Sequence, residues 1–508
     1  MSAEVQRQSG VISESHEPSD ANDPQTHESV QVVRKEQETL WNRLITPGVV
    51  LFVFTFLNFV TYCDRGAIVG SMTVIKNDAD IKGDSIVLSD TKAGLIFSGF
   101  MIGFTVSCPF FAGAGGFVPS KWIIAAGMVV WLASMIGTAF SKSYGILLMF
   151  RIFDGVGEAA FVGFTVTVID AIAPAKRRTL WIGTFYSMIP VGTAIGMAFG
   201  GFLSTRDPIG GYEGWRVAFL AIALAAAPLL LIIIFFPSKY NMRREDDKSY
   251  LPLHEATMKL FTNVGYLLVV FGYAMYCFVM GGLSVWSIPL LVEGPLQLAN
   301  VEASLIMGGV TAITGIAGSV VGGLVVDKFG GSSDITGVMR CQLFSVGVIL
   351  ISLVVGTIAF FIEITWLFAT LLAISVFILF TVTAPVNATI LTVVPWDQRA
   401  YAVSYSVLII HMLGDFPSPT LAGYLSDEVF SKGCRLHNST DVCNEDVESS
   451  CRWIESDRDG SQGHCVSKYQ LRNALLVVFS FIFLAIPSWL AVYSILSRMK
   501  KCGSSSGQ

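Results

Sequence analysis

The sequence predicts an all-α integral membrane protein, with twelve transmembrane helices in two six-helix halves. Three observations carry that expectation. Of 508 residues, 53% are hydrophobic and only 14% are charged, where a soluble domain carries roughly a quarter charged residues. The charges crowd into residues 1–47, a stretch near 238–259, a segment near 427–472 and the last few positions. Between them lie apolar runs that match the roughly 20 residues a helix needs to cross a bilayer. Alternating ten-residue segments, as a membrane barrel requires, are absent. The formal net charge of −5 implies neither an acidic partner nor nucleic acid.

Taken in order, residues 1–47 are polar and rich in Ser, Glu and Gln, and read as a disordered cytoplasmic tail with no cleavable signal peptide. The first six spans fall near 48–72, 90–112, 120–141, 144–173, 179–204 and 214–237, making an N-terminal bundle over 48–237. The run 144–173 is one long helix. Residues 238–262 form a polar cytoplasmic linker. Six further spans near 263–292, 303–326, 338–361, 364–395, 400–426 and 471–497 make a C-terminal bundle over 263–497, with a cytoplasmic tail at 498–508. Glycine and proline punctuate span 5 (Pro190, Gly192, Gly196, Gly200, Gly201) and span 8 (Gly308, Gly309, Gly315, Gly318, Gly322, Gly323). Small residues let helix backbones approach and slide, as rocking bundles require.

Orientation follows from the loops. With the N-terminus inside, the inner segments hold eighteen Lys and Arg, among them Arg34, Arg43, Lys176, Arg177, Arg178 and Lys328, against six in the short outer loops. That bias places both termini in the cytoplasm. The loop at 427–470 then lies outside, and it carries Cys434, Cys443, Cys451 and Cys465. An even set in an oxidising compartment reads as two disulfides with three possible pairings. The spacing lacks a close CxxC pair, so no metal is expected. Asn438-Ser439-Thr440 in the same loop is an acceptor pattern for N-glycosylation.

Ionisable residues inside a span cost a few kcal/mol each, so each needs a reason. Span 1 holds Asp64 and Arg65; span 4 holds Arg151, Asp154, Glu158 and Asp170; span 11 holds His411 and Asp415. At about 1.5 Å per residue, Asp64 and Arg151 reach similar depths and meet if spans 1 and 4 are neighbours. Glu158, seven residues beyond Arg151, shares its face but lies about 10 Å deeper, near the midplane. Transporters bind solutes and coupling ions at that depth. Two readings stand: a buried network that only holds helices together, or a carboxylate at Glu158 or Asp64 that exchanges a proton while an Arg draws in an anion. Asp154, at i+3 from Arg151, reads as screening that Arg. His411 and Asp415 share one helix face and read either as a titrating pair or as a structural hydrogen bond. Asp170, next to Lys176, Arg177 and Arg178, reads as part of an inner-face cluster controlling closure.

The six-plus-six layout resembles the major facilitator superfamily. Gly322-Gly-Leu-Val-Val-Asp327-Lys328-Phe-Gly-Gly331 resembles its glycine-rich inner-loop motif, which implies an inner-gate role for Asp327 and Lys328. The matching turn of the N-terminal half, Gly113 to Lys121, has no Asp. Four stretches resemble the narrower spinster family of lipid transporters. They are Asn58–Arg65, Gly155–Ala159, Phe185–Gly192 and His411–Pro419. The third contains Tyr186, Pro190 and Gly192. The resemblance implies a secondary transporter, not an enzyme, moving lysophospholipids or sphingoid lipids by alternating access, often with protons. It implies Asp64 and Glu158 as protonatable carboxylates, Arg151 as their partner or a headgroup ligand, and Arg65, His411 and Asp415 as further site residues. No cofactor is implied, and the expected state is a monomer in a plasma or endo-lysosomal membrane. A carrier for a small organic anion or sugar, or a non-transporting sensor, uses the same fold and stays open here. Aromatic residues near the charges (Phe161, Phe164, Phe185, Tyr186) are candidates for an apolar slot.

Overall fold

A chain built of apolar runs must satisfy its backbone inside each run, and it does so with helices throughout. The computed structural model describes residues 45–114, 118–174, 177–237, 240, 253–329, 335–395, 398–431, 434, 451–455 and 463–505. The N-terminal tail, most of the linker, and Cys443 and Asn438 lie outside the described residues.

The N-terminal half comprises α1 (Pro47–Asn77), α2 (Asp90–Ala114), α3 (Ser120–Ala139), α4 (Tyr144–Ile172), α5 (Arg178–Ser204) and α6 (Gly214–Ile234). The C-terminal half comprises α7 (Val264–Glu293), α8 (Asn300–Lys328), α9 (Ile335–Phe360), α10 (Thr365–Val393, broken near Thr381), α11 (399–429) and α12 (Gln470–Lys500). Among the described residues, eleven helices are long and apolar enough to cross a membrane. The twelfth span, α11, is a run of shorter pieces: Arg399–Ile410, a π-turn at His411–Asp415, Pro417–Tyr424, and a second π-turn at Leu425–Val429. Local chemistry explains the first π-turn. Pro417 and Pro419 have no N–H to give the carbonyls four residues back, and Phe416 N instead donates to His411 O at 3.0 Å.

Helix starts are set by side-chain caps. Thr46 precedes Pro47 and accepts from Val49 N, Ser143 from Ile146 N, and Asn263 from Tyr266 N. The linker is not wholly irregular: Leu253–Thr262 forms a helix whose Thr257 hydroxyl lies 2.6 Å from the Tyr405 hydroxyl of α11. The loop after α11 contains an antiparallel hairpin, β1 (Cys451–Glu455) with β2 (Gly463–Ser467), an addition to the all-helical expectation. A disulfide joins Cys434 to Cys451, with Cα atoms 5.7 Å apart.

We call the end where α1 begins and α12 finishes the terminal face, and the other end the opposite face. Helices α1 and α5 pack backbone against backbone. Gly192, Gly196 and Gly200 repeat every fourth residue and lie on the backbones of Phe59, Cys63 and Ala67, which repeat at the same interval. In reply, Gly66 and Gly70 of α1 lie on Thr193 and Met197. Lipid gives two helices no hydrophobic reason to associate, so this backbone approach supplies the packing that holds α1 in place. A Cβ on Gly196 would stand 2.8 Å from Cys63 Cα. Gly196→Val is therefore expected to force α1 and α5 apart at a cost of about 1–3 kcal/mol, seen as a lower thermal midpoint of the detergent-solubilised protein.

Candidate functional site

The α1–α5 pair fixes how α1 presents Asp64 and Arg65 to α4. The two residues are adjacent, so their side chains leave α1 in directions about 100° apart. Asp64 reaches Arg151: Arg151 Nη1 donates to Asp64 Oδ1 at 3.0 Å. Arg65 reaches Glu158: its Nε donates to Oε2 at 3.3 Å and its Nη2 to Oε1. Asp154 sits between these pairs, 3.3 Å from Arg151 Nη1. Asp64, Asp154 and Glu158 are all fully buried. The other Arg151 donors point at α3, where Thr138 Oγ1 accepts from Nε at 3.3 Å and from Nη2 at 3.0 Å. The Phe219 ring of α6 covers the guanidinium at 5.0 Å. Arg65 is the more open of the two cations. It stands over Phe100 and Tyr62 at 4.5 and 4.8 Å, and its side chain is 22% exposed.

Asp64, Arg65, Arg151 and Asp154 of this cluster line one wall of a cavity of about 440 Å³ between the two halves. The facing wall comes from α7, α8, α10 and α11. His411 and Asp415, on the π-turn of α11, line it with Nδ1 and Oδ2 2.8 Å apart. His411 also meets the edge of Phe104 of α2, with ring centroids 5.5 Å apart. Much of the remaining lining is apolar, including Ile68, Val69, Met197, Leu283, Met307 and Val310. The cavity therefore presents charged groups and hydrocarbon to the same space. Such a space suits a solute with a polar head and a greasy body.

The other expected residues fall as follows. Pro190 lines the cavity, whereas Gly192 packs against Phe59. Tyr186 is half exposed and its ring meets Phe185 at 5.3 Å. The expected aromatic slot is assembled from other rings: Phe161 is buried against Trp131, and the cavity uses Tyr62, Phe97, Phe100, Tyr273, Tyr276 and Phe380 instead. At the terminal face, Arg177, Asp327 and Lys328 are exposed and Asp170 is half-buried. The Arg178 side chain lies outside the described atoms.

One feature of the site was absent from the sequence reading. Near the opposite face, Lys76 at the end of α1 is buried and bridges Asp90 of α2 (2.6 Å) and Glu293 of α7 (2.9 Å to each oxygen). Asp90 also accepts from Ser426 at 2.7 Å, and Asp427 of α11 accepts from Thr91 N at 2.7 Å and from its hydroxyl at 2.6 Å. Asn300 of α8 donates to Gly70 O at 2.8 Å and accepts from Thr73 at 2.7 Å. These bonds join the N-terminal half to the C-terminal half and lock the cavity at that end.

The chain matches the Major Facilitator Superfamily model over residues 54–419, and it belongs to that superfamily of membrane carriers. Within it, the chain belongs to the spinster family. It is 31% identical over 429 residues to the probable sphingolipid transporter spinster homolog 1 of Arabidopsis thaliana, spanning 76% of this chain and 84% of that protein. It is 27% identical over 416 residues to a sphingosine-1-phosphate transporter of Danio rerio, spanning 76% and 77%. A bacterial homolog of the human lysosomal transporter spinster, solved inward-facing and unoccupied, has the same fold: TM-score 0.72 and 18% identity, covering 89% of this chain and 98% of that one. The protein is thus a spinster-type carrier and not an enzyme.

Two outcomes follow from the ion pairs. Arg151→Ala leaves Asp64 and Asp154 buried without a counter-charge, a loss of about 3–5 kcal/mol, expected as a marked fall in the thermal midpoint. Lys76→Gln removes the cation that joins α1 to α7, so the lock is expected to open. Labelling of cavity-lining Cys277 by a bilayer-impermeant thiol reagent, applied from the opposite face, should speed up about tenfold or more relative to wild type, with Cys277→Ala as the control.

Proposed function

We propose that this carrier moves a lysophospholipid or sphingoid lipid across the membrane by alternating access, coupled to protons. The observation that carries the reading is the cavity itself, lined by the guanidiniums of Arg65 and Arg151, the carboxyls of Asp64 and Asp154, and an extensive apolar surface, with Glu158 buried behind Arg65. An anionic headgroup finds Arg65, the more exposed cation, backed by aromatic faces. A hydrocarbon chain finds the Met, Leu, Ile and Val surface. The names of the plant and fish relatives, sphingolipid and sphingosine-1-phosphate transporters, support the same solute class.

Charge arithmetic supports the proton. Two guanidiniums against three carboxylates leave the buried cluster one positive charge short. In a membrane interior such a deficit is expensive, and a proton removes it. Asp64 and Glu158 are the carboxyls we assign to proton exchange, with Arg65 and Arg151 as their counter-ions. When Arg65 turns to a headgroup, Glu158 loses its partner, and solute binding is thereby linked to protonation.

The excess of Lys and Arg supports a cytoplasmic terminal face. The lock at Lys76, Asp90 and Glu293 then closes the outside, and the cavity communicates with the cytoplasm. In the opposite state, Asp170, Arg177, Arg178, Asp327 and Lys328 close the inner face. The disulfide-bearing loop, with Asn438 as a glycosylation acceptor, belongs outside, on a plasma or endo-lysosomal membrane. One chain supplies the whole cavity, so a monomer suffices.

The test is flux of a fluorescent lysophosphatidylcholine from proteoliposomes containing the purified chain, with and without an imposed pH gradient. Flux that rises with the gradient is expected. No flux from folded protein would redirect the search to small organic anions or to a sensor. Glu158→Gln restores the charge balance without a proton. Its residual flux is therefore expected to lose its dependence on the gradient.

A further inference from the structure

The cluster contains one carboxyl that neither ion pair uses. Asp154 is fully buried and lines the cavity, and neither of its oxygens has a hydrogen-bond partner. Asp64 Oδ2 is likewise without a partner, although Asp64 Oδ1 accepts from Arg151. The cause is the allocation of Arg151. Thr138 takes donors from Nε and Nη2, and Nη1 gives its hydrogen bond to Asp64, which leaves Asp154 a 3.3 Å contact without one. Three orphaned acceptor oxygens therefore belong to two carboxyls that share one guanidinium nitrogen, with Arg151 Nη1 3.0 Å from Asp64 Oδ1 and 3.3 Å from Asp154 Oδ2.

A buried carboxylate that accepts no hydrogen bond pays its full desolvation penalty. Two such carboxylates side by side add repulsion. One proton would relieve both: a protonated Asp154 carboxyl could donate to Asp64, and the pair would then carry one negative charge against the single positive charge of Arg151. Arg65 and Glu158 already form a pair that is neutral by itself.

We propose that Asp154 and Asp64 form a proton-sharing dyad, and that the coupling proton rests there, not on Glu158, while the opposite-face lock is closed. The inference rests on the proton-coupled reading above for its role in transport, but its chemistry stands on the geometry alone. The groups around Asp154 bear this out. Its own helix contributes Arg151 and Glu158, and α1 contributes Asp64 and Arg65. From α3 come the neutral Thr138 and Met135, from α6 the Phe219 ring, and from α2 the Cys108 thiol near Arg65 and Glu158. Across the cavity stand His411 and Asp415. Only Arg65 adds a second cation among the neighbours on α1 to α6 named here, and Glu158 holds it. Asp154 is a positioning residue for the proton and acts through Asp64.

The dyad is tested by infrared spectroscopy of the full chain in lipid at neutral pH, read at the carbonyl stretch of protonated carboxyls. A band is expected in wild type. Selective ¹³C labelling of aspartate carboxyls should shift it, and Asp154→Asn should abolish it. Should Asp154→Asn fail to fold, Asp64→Asn is the second variant, because Asp154 then ionises against Arg151 and the band is lost as well. Absence of the band, a band that aspartate labelling does not shift, or a band that survives these substitutions overturns the dyad. Flux separates the two proposals. A labelled-aspartate band without gradient-driven flux keeps the dyad and removes the coupling, whereas gradient-driven flux with an unshifted band keeps the coupling and places the proton on a glutamate.

Discussion

The structure depends on one constraint: five ionisable groups must stay buried between α1 and α4 with too few cations for their carboxyls. Arg151 does not serve Asp64 and Asp154 equally, because its Nε and Nη2 turn to Thr138 and its Nη1 donates to Asp64. Arg65 cannot help, because Glu158 holds it. The arrangement persists only while α1 is held at its present depth and rotation against α4. The interleaved backbones of α1 and α5 hold it there, with Gly192, Gly196 and Gly200 opposite Phe59, Cys63 and Ala67. A shift of α1 by one residue would carry Asp64 and Arg65 about 1.5 Å along the axis and 100° around it. Both pairs would then break. The glycines far from the charges therefore protect the electrostatics as much as the packing does.

Much of this was legible in the sequence, and the reason is that a bilayer enforces simple rules. Runs of twenty apolar residues become helices, and any charge inside one demands a partner. Depth arithmetic alone brought Asp64 to the level of Arg151, and spacing along one face brought His411 to Asp415. The Arg65–Glu158 pair was harder to foresee. Glu158 lies two turns below Arg151, and the contact closes because a long guanidinium side chain spans that gap. Asp154 read as a screen for Arg151 because sequence spacing does not show that Arg151 turns its hydrogen bonds to Thr138 and Asp64. The lock at Lys76, Asp90 and Glu293 escaped for a different reason. Each residue stands at the end of an apolar run, where a charge costs little if water reaches it. The packing of α1, α2, α7 and α11 against one another buries all three. The hairpin after α11 had a turn signal in Asp459-Gly460, but its five-residue strands are short and polar within a Cys-rich loop, and α11 itself lost its simple helical reading at Pro417 and Pro419.

The lock and the charged cluster share one rigid element. Asp64 and Lys76 are twelve residues apart on α1, a distance of about 18 Å along the axis. Lys76 holds α7 of the other half through Glu293, while Asp64 and Arg65 hold α4 of their own half. Any event that changes how α1 sits against α4 is therefore felt at Lys76 without a chain of intermediate contacts. Neutralising a carboxyl in the cluster alters the first set of pairs and so biases the second. The Asn300 bonds to Gly70 and Thr73 lie between the two sites on the same helix and tie it to α8, so α1 cannot tilt without also loosening that contact. A carrier needs its two gates to exclude each other, and a single helix with a charged cluster at its middle and a lock at its end satisfies that need by rigidity alone.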